Sequence, residues 1–315
     1  MSDKLNFSDI RTAAAQIARH VRHTPVMRCT QLEETLSAKI FFKCENFQEM
    51  GAFKIRGASN AVFSLPDEAL KNGVATHSSG NHGTAVALAA KRRGVPACVV
   101  MPENASAFKK QTVAEYGAQI IGCESTMAGR EAALARYVAE TGAAVVHPYN
   151  DLAVMAGQGT AALELHEEVP DLEAILVPVG GGGLLSGTAV TTRGLRPNCR
   201  IIGVEPLGAD DTWRALKTGR IEALAHPDTI ADGLRATLGP LPFAVIREQV
   251  DDIMRVSDEA IISAMRYVWE RMKIIIEPSS AVVVAALQGG LAEVKGRRVG
   301  VILTGGNVDL DHLPW

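Results

Sequence analysis

The chain has 315 residues, 47% hydrophobic, 5% aromatic and 21% charged, and 32 basic against 35 acidic side chains leave a net charge of −3. A chain of this length hides roughly 75% of its extended surface on folding and needs no staple. Balanced charge without a basic stripe excludes a nucleic-acid surface. No apolar run approaches the ~18 residues of a membrane span, and the polar start MSDKLNFSD does not read as a signal peptide. The five cysteines (Cys29, Cys44, Cys98, Cys123 and Cys199) are scattered and never spaced as CxxC. They read as reduced thiols of a cytoplasmic protein, against a disulfide framework or zinc site.

The first predicted element is an amphipathic helix capped by Ser8, with Ile10, Ala13, Ala14, Ile17 and Val21 on one face and Pro25 as its stop. A short strand, Lys39 to Lys43, leads into CENFQEMGAFKIRGA. From Gly73 onward the segments GVATHS, ACVVM, AQIIG and AAVV read as buried strands separated by Ala-rich helices. Gly94, Gly117 and Gly142 stand where left-handed helix caps are needed. A second series follows: a helix over 156–168, strand AILVPV, a helix, and strand IIGVEP. After an irregular stretch come a helix capped by Ser257, another from about Pro278, and strand RVGVIL. This alternation predicts an α/β chain with parallel sheets in two units. The smaller, 70–147, is inserted into a larger one made of 1–69 and 148–315.

Three small-residue loops each follow a predicted strand: SSGNHG from Ser78, GGGG over Gly180, Gly181, Gly182 and Gly183, and TGGN from Thr304. In open parallel sheets such loops line the ligand crevice. The glycine run opens a helix, so its backbone N–H groups and the helix dipole predict a phosphate cradle. A dinucleotide motif is the rival, with Glu205 at the end of the next strand as the ribose acid. Against it, the run from Gly181 reaches Ser186 where a third glycine belongs. The glycines alone do not choose between cofactors. In SSGNHG, the start of a helix with Ser78, Asn81 and His82 predicts a nest for a carboxylate. Lys54, among small and apolar residues in GAFKIRGA, is a candidate nucleophilic amine. Amine, phosphate cradle and carboxylate nest together are the parts needed for pyridoxal phosphate acting on an amino acid.

From KCENFQ…GAFKIRGA through SSGNHG, AGQGT, VPVGGGGLLSG, GVEPLGADD, TIADG, EPSSA and TGGNVDL, the chain resembles the serine/threonine dehydratase and serine racemase family of fold-type II pyridoxal-phosphate enzymes. The resemblance implies a tryptophan synthase β-like fold: two open twisted parallel-sheet α/β domains, the smaller one mobile, with the active site in the cleft between them. It implies that Lys54 holds the cofactor, that Phe53 lines its ring and Asn81 meets the ring hydroxyl. Gly180 to Gly183 would take the phosphate and Thr304 would stand beside the pyridine nitrogen. Ser79 matches the serine facing the cofactor opposite the lysine, the second acid–base group of racemases. Glu205, Asp211 and the carbonyl of Ala209 match a divalent-cation site for Mg²⁺, Ca²⁺ or Mn²⁺. Arg130 resembles the position that reaches a dicarboxylate, and relatives are commonly homodimers. Ala52 replaces the serine of the family's usual SFK triplet, and CENFQ…GAFK is more similar to 3-hydroxyaspartate dehydratases than to mammalian racemases. The end at Trp315 implies no allosteric amino-acid-sensing domain.

The implied reaction is β-elimination from a small hydroxy amino acid to a 2-oxo acid and ammonia: oxaloacetate from 3-hydroxyaspartate, pyruvate from serine. A serine or aspartate racemase is the alternative within the family. A nicotinamide-dependent oxidoreductase rests only on the glycine run and Glu205, and a non-catalytic amino-acid-binding module leaves the lysine and serine without a role.

Overall fold

A computed structural model describes residues 4–78, 80–105, 107–224, 226–290 and 294–315. Among them the strands in chain order are β1 (Val26–Met27), β2 (Lys39–Cys44), β3 (Val74–His77), β4 (Ala97–Pro102), β5 (Gln119–Cys123), β6 (Ala144–Val145), β7 (Ala174–Pro178), β8 (Arg200–Pro206), β9 (Asp252–Val256) and β10 (Arg298–Leu303). The helices are α1 (Phe7–Ile17), α2 (Thr30–Leu36), α3 (Lys54–Ser64), α4 (Asn81–Arg93), α5 (Ala107–Glu115), α6 (Met127–Thr141), α7 (Leu152–Glu168), α8 (Gly183–Leu195), α9 (Asp211–Thr218), α10 (Pro240–Gln249), α11 (Asp258–Met272) and α12 (Pro278–Gln288). Two sheets form, in the orders β1-β2-β10-β7-β8-β9 and β5-β4-β3-β6, and only the β1–β2 pair is antiparallel.

The large sheet is a middle layer, which explains why its strands are apolar on both faces. Side chains alternate along each strand. Ile40, Phe42, Leu176, Val299 and Val301 join a core with α11 and α12, while Phe41, Ile175, Val177 and Ile302 join a second core with α1, α7 and α8. In the small sheet, Ala75, Cys98 and Val100 pack on α6, and Val99 and Met101 pack toward α4 and α5. The expected strands and the left-handed Gly94, Gly117 and Gly142 are present. Ser257 caps α11 through the Ala260 N–H.

Two details at the N-terminus differ from expectation. Asn6, not Ser8, caps α1: its side chain accepts from the N–H groups of Ser8 and Asp9, and Asp9 returns the bond to the Asn6 N–H. This reciprocal box places Ser8 inside the first turn. The helix stops at Ile17, well short of Pro25.

Helices α3, α7 and α8 are stacked at backbone contact. A Cβ on Gly157 would lie 2.5 Å from the Arg56 carbonyl oxygen, and one on Gly187 would lie 2.3 Å from that of Met155. The stack holds the start of α3, at Lys54, in fixed relation to the start of α8, at the glycine run. A buried ion network pins the first turn of α3. The Arg56 guanidinium, with no exposed surface, donates to both oxygens of Glu45 (2.7 and 2.8 Å) and both of Glu164 (2.6 and 2.8 Å). Lys43 reaches Glu164 at 2.7 Å, and the Thr24 hydroxyl donates to Glu45 at 2.6 Å. Removing one member of a buried ion pair strands the other's charge. Arg56→Ala therefore lowers the free energy of unfolding by about 3–5 kcal/mol, read from urea denaturation.

Candidate active site

The carboxyl ends of strands from both sheets face one cavity of about 630 Å³, lined by His77 and Ser78 after β3, Gly180 to Gly183 after β7, and Thr304 after β10. Lys54 reaches it because the preceding segment is stitched to the loop after β10. Ala52 bridges Gly305, the Phe53 N–H donates to the Thr304 carbonyl (3.0 Å), and the Gly306 N–H donates to the Gly51 carbonyl (2.9 Å). The Lys54 amine donates to the Pro148 carbonyl at 3.1 Å and lies 5.1 Å from the centre of the Phe53 ring. Burial pulls its pKa down to about 8, opposed by the negative charge of Glu277. A neutral amine is what attack on a carbonyl requires.

The glycine run curls around open backbone. Gly182 has φ +90°, and a Cβ on Gly181 would lie 2.3 Å from the Tyr149 ring. No side chain caps α8, so the positive end of the helix faces the cavity. A phosphate is the anion this arrangement fits. With an amine tuned for an aldehyde nearby, the observed cradle and lysine suit pyridoxal phosphate.

The remaining expected residues divide. Phe53, Asn81, His82, Arg130 and Thr304 all line the cavity. Ser78 does too, but its hydroxyl closes its own loop, accepting from the Gly80 N–H at 3.2 Å. Ser79 lies outside the described residues. His82 is a packed histidine whose Nε2 is engaged by the Val146 carbonyl at 3.1 Å, and burial drives its pKa well below the usual value. Arg130 projects from the first turn of α6, and its buried Nε has no hydrogen-bond partner.

Asn81 is committed to groups the sequence did not single out. Its amide nitrogen donates to both oxygens of Glu277 (3.0 and 3.1 Å), and its oxygen accepts from Asn307 (2.9 Å). Glu277 occupies the N-cap position of α12 yet makes no capping bond. Burial, then the nearby Asp232, pushes its pKa up to about 7. The motif EPSSA was visible in the sequence, but a glutamate before Pro278 reads as an ordinary helix start. Across the cavity mouth Lys109 of α5 pairs with Asp232.

The expected metal ligands lie apart from this cavity. Glu205 is fully buried and accepts the N–H groups of Trp213 (2.7 Å) and Thr212 (3.3 Å) at the start of α9, while Asp211 accepts from the Leu238 N–H (2.7 Å). Burial raises both carboxyls, Glu205 to about 8 and Asp211 to about 6. Among the described residues no three His, Cys, Asp or Glu side chains converge as a metal cluster. No helix among them is long and apolar enough to cross a membrane.

Known proteins share this fold and nearly half of the sequence. The chain is 49% identical to a beta-hydroxyaspartate dehydratase of Paracoccus denitrificans, over 98% of each chain. It is 47% identical to an L-threo-3-hydroxyaspartate ammonia-lyase of Saccharomyces cerevisiae, over 96% of this chain and 94% of the other. The solved structure of maize serine racemase superposes with a TM-score of 0.95 at 47% identity, covering 98% of this chain and 95% of that one. The family described as "Pyridoxal-phosphate dependent enzyme" matches residues 17–305, from the end of α1 to the loop that backs Lys54. With a tuned lysine and a glycine cradle on this two-sheet frame, the chain belongs to the pyridoxal-phosphate dependent enzymes and has their fold-type II architecture.

Proposed function

We propose that this protein is an ammonia-lyase that converts 3-hydroxyaspartate to oxaloacetate and ammonia. The observation that carries the reading is Arg130, a guanidinium in the wall of the Lys54 cavity with its Nε unspent. Arginine presents a planar fork suited to a carboxylate, and a hydroxy amino dicarboxylate has one to spare. The identity of 49% to a beta-hydroxyaspartate dehydratase supports the same substrate. Maize serine racemase, at 47% identity, keeps racemisation as the second reading. Racemisation needs an acid–base group on the face opposite Lys54, and the serine expected there is Ser79.

Lys54 would hold the cofactor covalently, Gly180 to Gly183 its phosphate, Phe53 the ring and Asn81 the ring hydroxyl, with Thr304 beside the pyridine nitrogen. When bound, the cofactor supplies a conjugated ring that acidifies the Cα–H of the amino acid it carries. The Lys54 amine, whose pKa burial brings down to about 8, would serve as the base for the Cα proton. The N-terminal turn of α4 would take the α-carboxylate. Loss of the Cβ hydroxyl as water, followed by hydrolysis of the resulting enamine, gives the 2-oxo acid and ammonia with no net consumption of water. Thr304, in the cavity lining, would offer the ring nitrogen a neutral hydroxyl in place of a carboxylate.

Glu205, Asp211 and the Ala209 carbonyl form the second proposed site, for a hard divalent cation. Two buried carboxyls with raised pKa values at the start of α9 support it.

Three outcomes check these assignments. At pH 7 roughly a tenth of an amine of pKa 8 is neutral, against about 0.03% of an ordinary lysine. Cofactor uptake by the apoenzyme at Lys54, followed by absorbance, therefore rises with pH along a titration centred near 8 and levels off above it. A midpoint above 10 contradicts a tuned amine. The holoenzyme releases oxaloacetate from a 3-hydroxyaspartate isomer, and Arg130→Ala lowers kcat/KM for it by about tenfold or more relative to serine; equal losses on both substrates contradict the dicarboxylate reading. Mg²⁺ at millimolar concentration raises the Tm of the wild type, since a ligand that binds only the native state stabilises it. Asp211→Asn abolishes that increment.

A further inference from the structure

Three histidines, His77, His82 and His147, lie together on the small-sheet side of the cavity. His82 is bonded through Nε2 to the Val146 carbonyl, its Nδ1 being buried with no partner among the described residues, and His147 accepts at Nδ1 from the N–H groups of Tyr149 (3.3 Å) and Asn150 (2.9 Å). His77 closes β3, is 4% exposed and lines the cavity. Among the described residues its ring makes no hydrogen bond. It meets the edge of the His147 ring, with centroids 5.5 Å apart and planes at 88°. A ring in the cavity lining that no protein group engages keeps its N–H for a ligand.

The groups around His77 say what that is. Arg130 of α6 acts on it electrostatically, and His77 in turn acts on His82 of α4 and on His147 after β6. Burial, then Arg130, holds its pKa at about 4, so the ring is neutral and has one N–H to donate. The buried Nε–H of Arg130 is likewise unspent. Two N–H donors on neighbouring elements match the two oxygens of a carboxylate.

We propose that His77 is a specificity-determining residue that donates its ring N–H to the distal carboxylate of an amino dicarboxylate, beside Arg130. The proposal rests on the 3-hydroxyaspartate reading above and assigns that substrate a second contact. A site whose buried donors await an anion rejects an analogue that lacks one, because the donors then stay unpaired. Serine carries a hydrogen where hydroxyaspartate carries the carboxylate.

The test compares wild-type, His77→Leu and His77→Gln holoenzymes on 3-hydroxyaspartate and serine. Leucine fills the space without a donor, and glutamine restores an N–H. The expected result is a fall of about tenfold in the kcat/KM ratio of hydroxyaspartate to serine for His77→Leu, carried mainly by KM and largely recovered in His77→Gln. An unchanged ratio in a wild type that does make oxaloacetate overturns the proposal alone. A wild type that releases no oxaloacetate from any isomer overturns the substrate reading and this proposal with it. A second measurement needs no variant. The imidazole nitrogen resonances of His77 in the holoenzyme are titrated with and without succinate, a dicarboxylate that lacks an amine. An anion against the ring favours its protonated form, so succinate raises the His77 pKa. A His77 titration that succinate leaves in place counts against the contact.

Discussion

An ammonium group is costly to bury, and the protein uses that cost at Lys54. Taken from water into the cavity wall, the amine keeps the Pro148 carbonyl as an acceptor and feels the partial counter-charge of Glu277, and its pKa settles at about 8. The resulting amine is reactive near neutral pH only while it is held there. The segment from Gly51 to Phe53 is therefore tied to the loop after β10 by backbone bonds, and α3 is locked against α7 at glycine contact. Without that rigidity Lys54 would swing to solvent and recover an ordinary pKa.

Two kinds of buried charge serve two purposes. Two residues beyond Lys54, Arg56 meets Glu45 and Glu164 with full hydrogen-bond complementarity, a neutralised cluster that anchors the helix and does no chemistry. Glu277 and the pair Glu205 and Asp211 are different. They are buried with acceptor bonds from neutral amides or backbone N–H groups, and their pKa values rise. Incompletely compensated groups of this kind concentrate where a protein handles ligands or protons. Glu277 in particular couples Asn81, Asn307 and the amine of Lys54 into one electrostatic unit.

Legibility in the sequence followed the range of the physics. The strands GVATHS, ACVVM and RVGVIL were readable because a parallel strand covered on both faces is an unbroken apolar run. The glycine caps at 94, 117 and 142 were readable because only the residue and its neighbours are involved. Helix α3 was not read as a helix: KIRGASNAVFS buries Arg56, Ser59 and Asn60 as well as Ile55 and Val62, so it shows no apolar stripe. Strand β9 was hidden in a stretch that looked irregular, DIMRV, whose two buried positions are Ile253 and Val256. The cap at Asn6 was missed in favour of Ser8 because both residues are good caps, and the return bond from Asp9 decides between them.

The amino-acid order by itself determined the α/β class and the family, and it singled out Lys54 and the glycine run, since all of these rest on local residue types and their order along the chain. Only the tertiary structure decided which polar groups are spent and which are not. Asn81 meets Glu277 across 196 residues, His82 turns to a carbonyl, and His77 and Arg130 come to line one cavity. A pKa or an unpaired donor is a property of everything packed around an atom. It comes into being when distant segments exclude water from the same space.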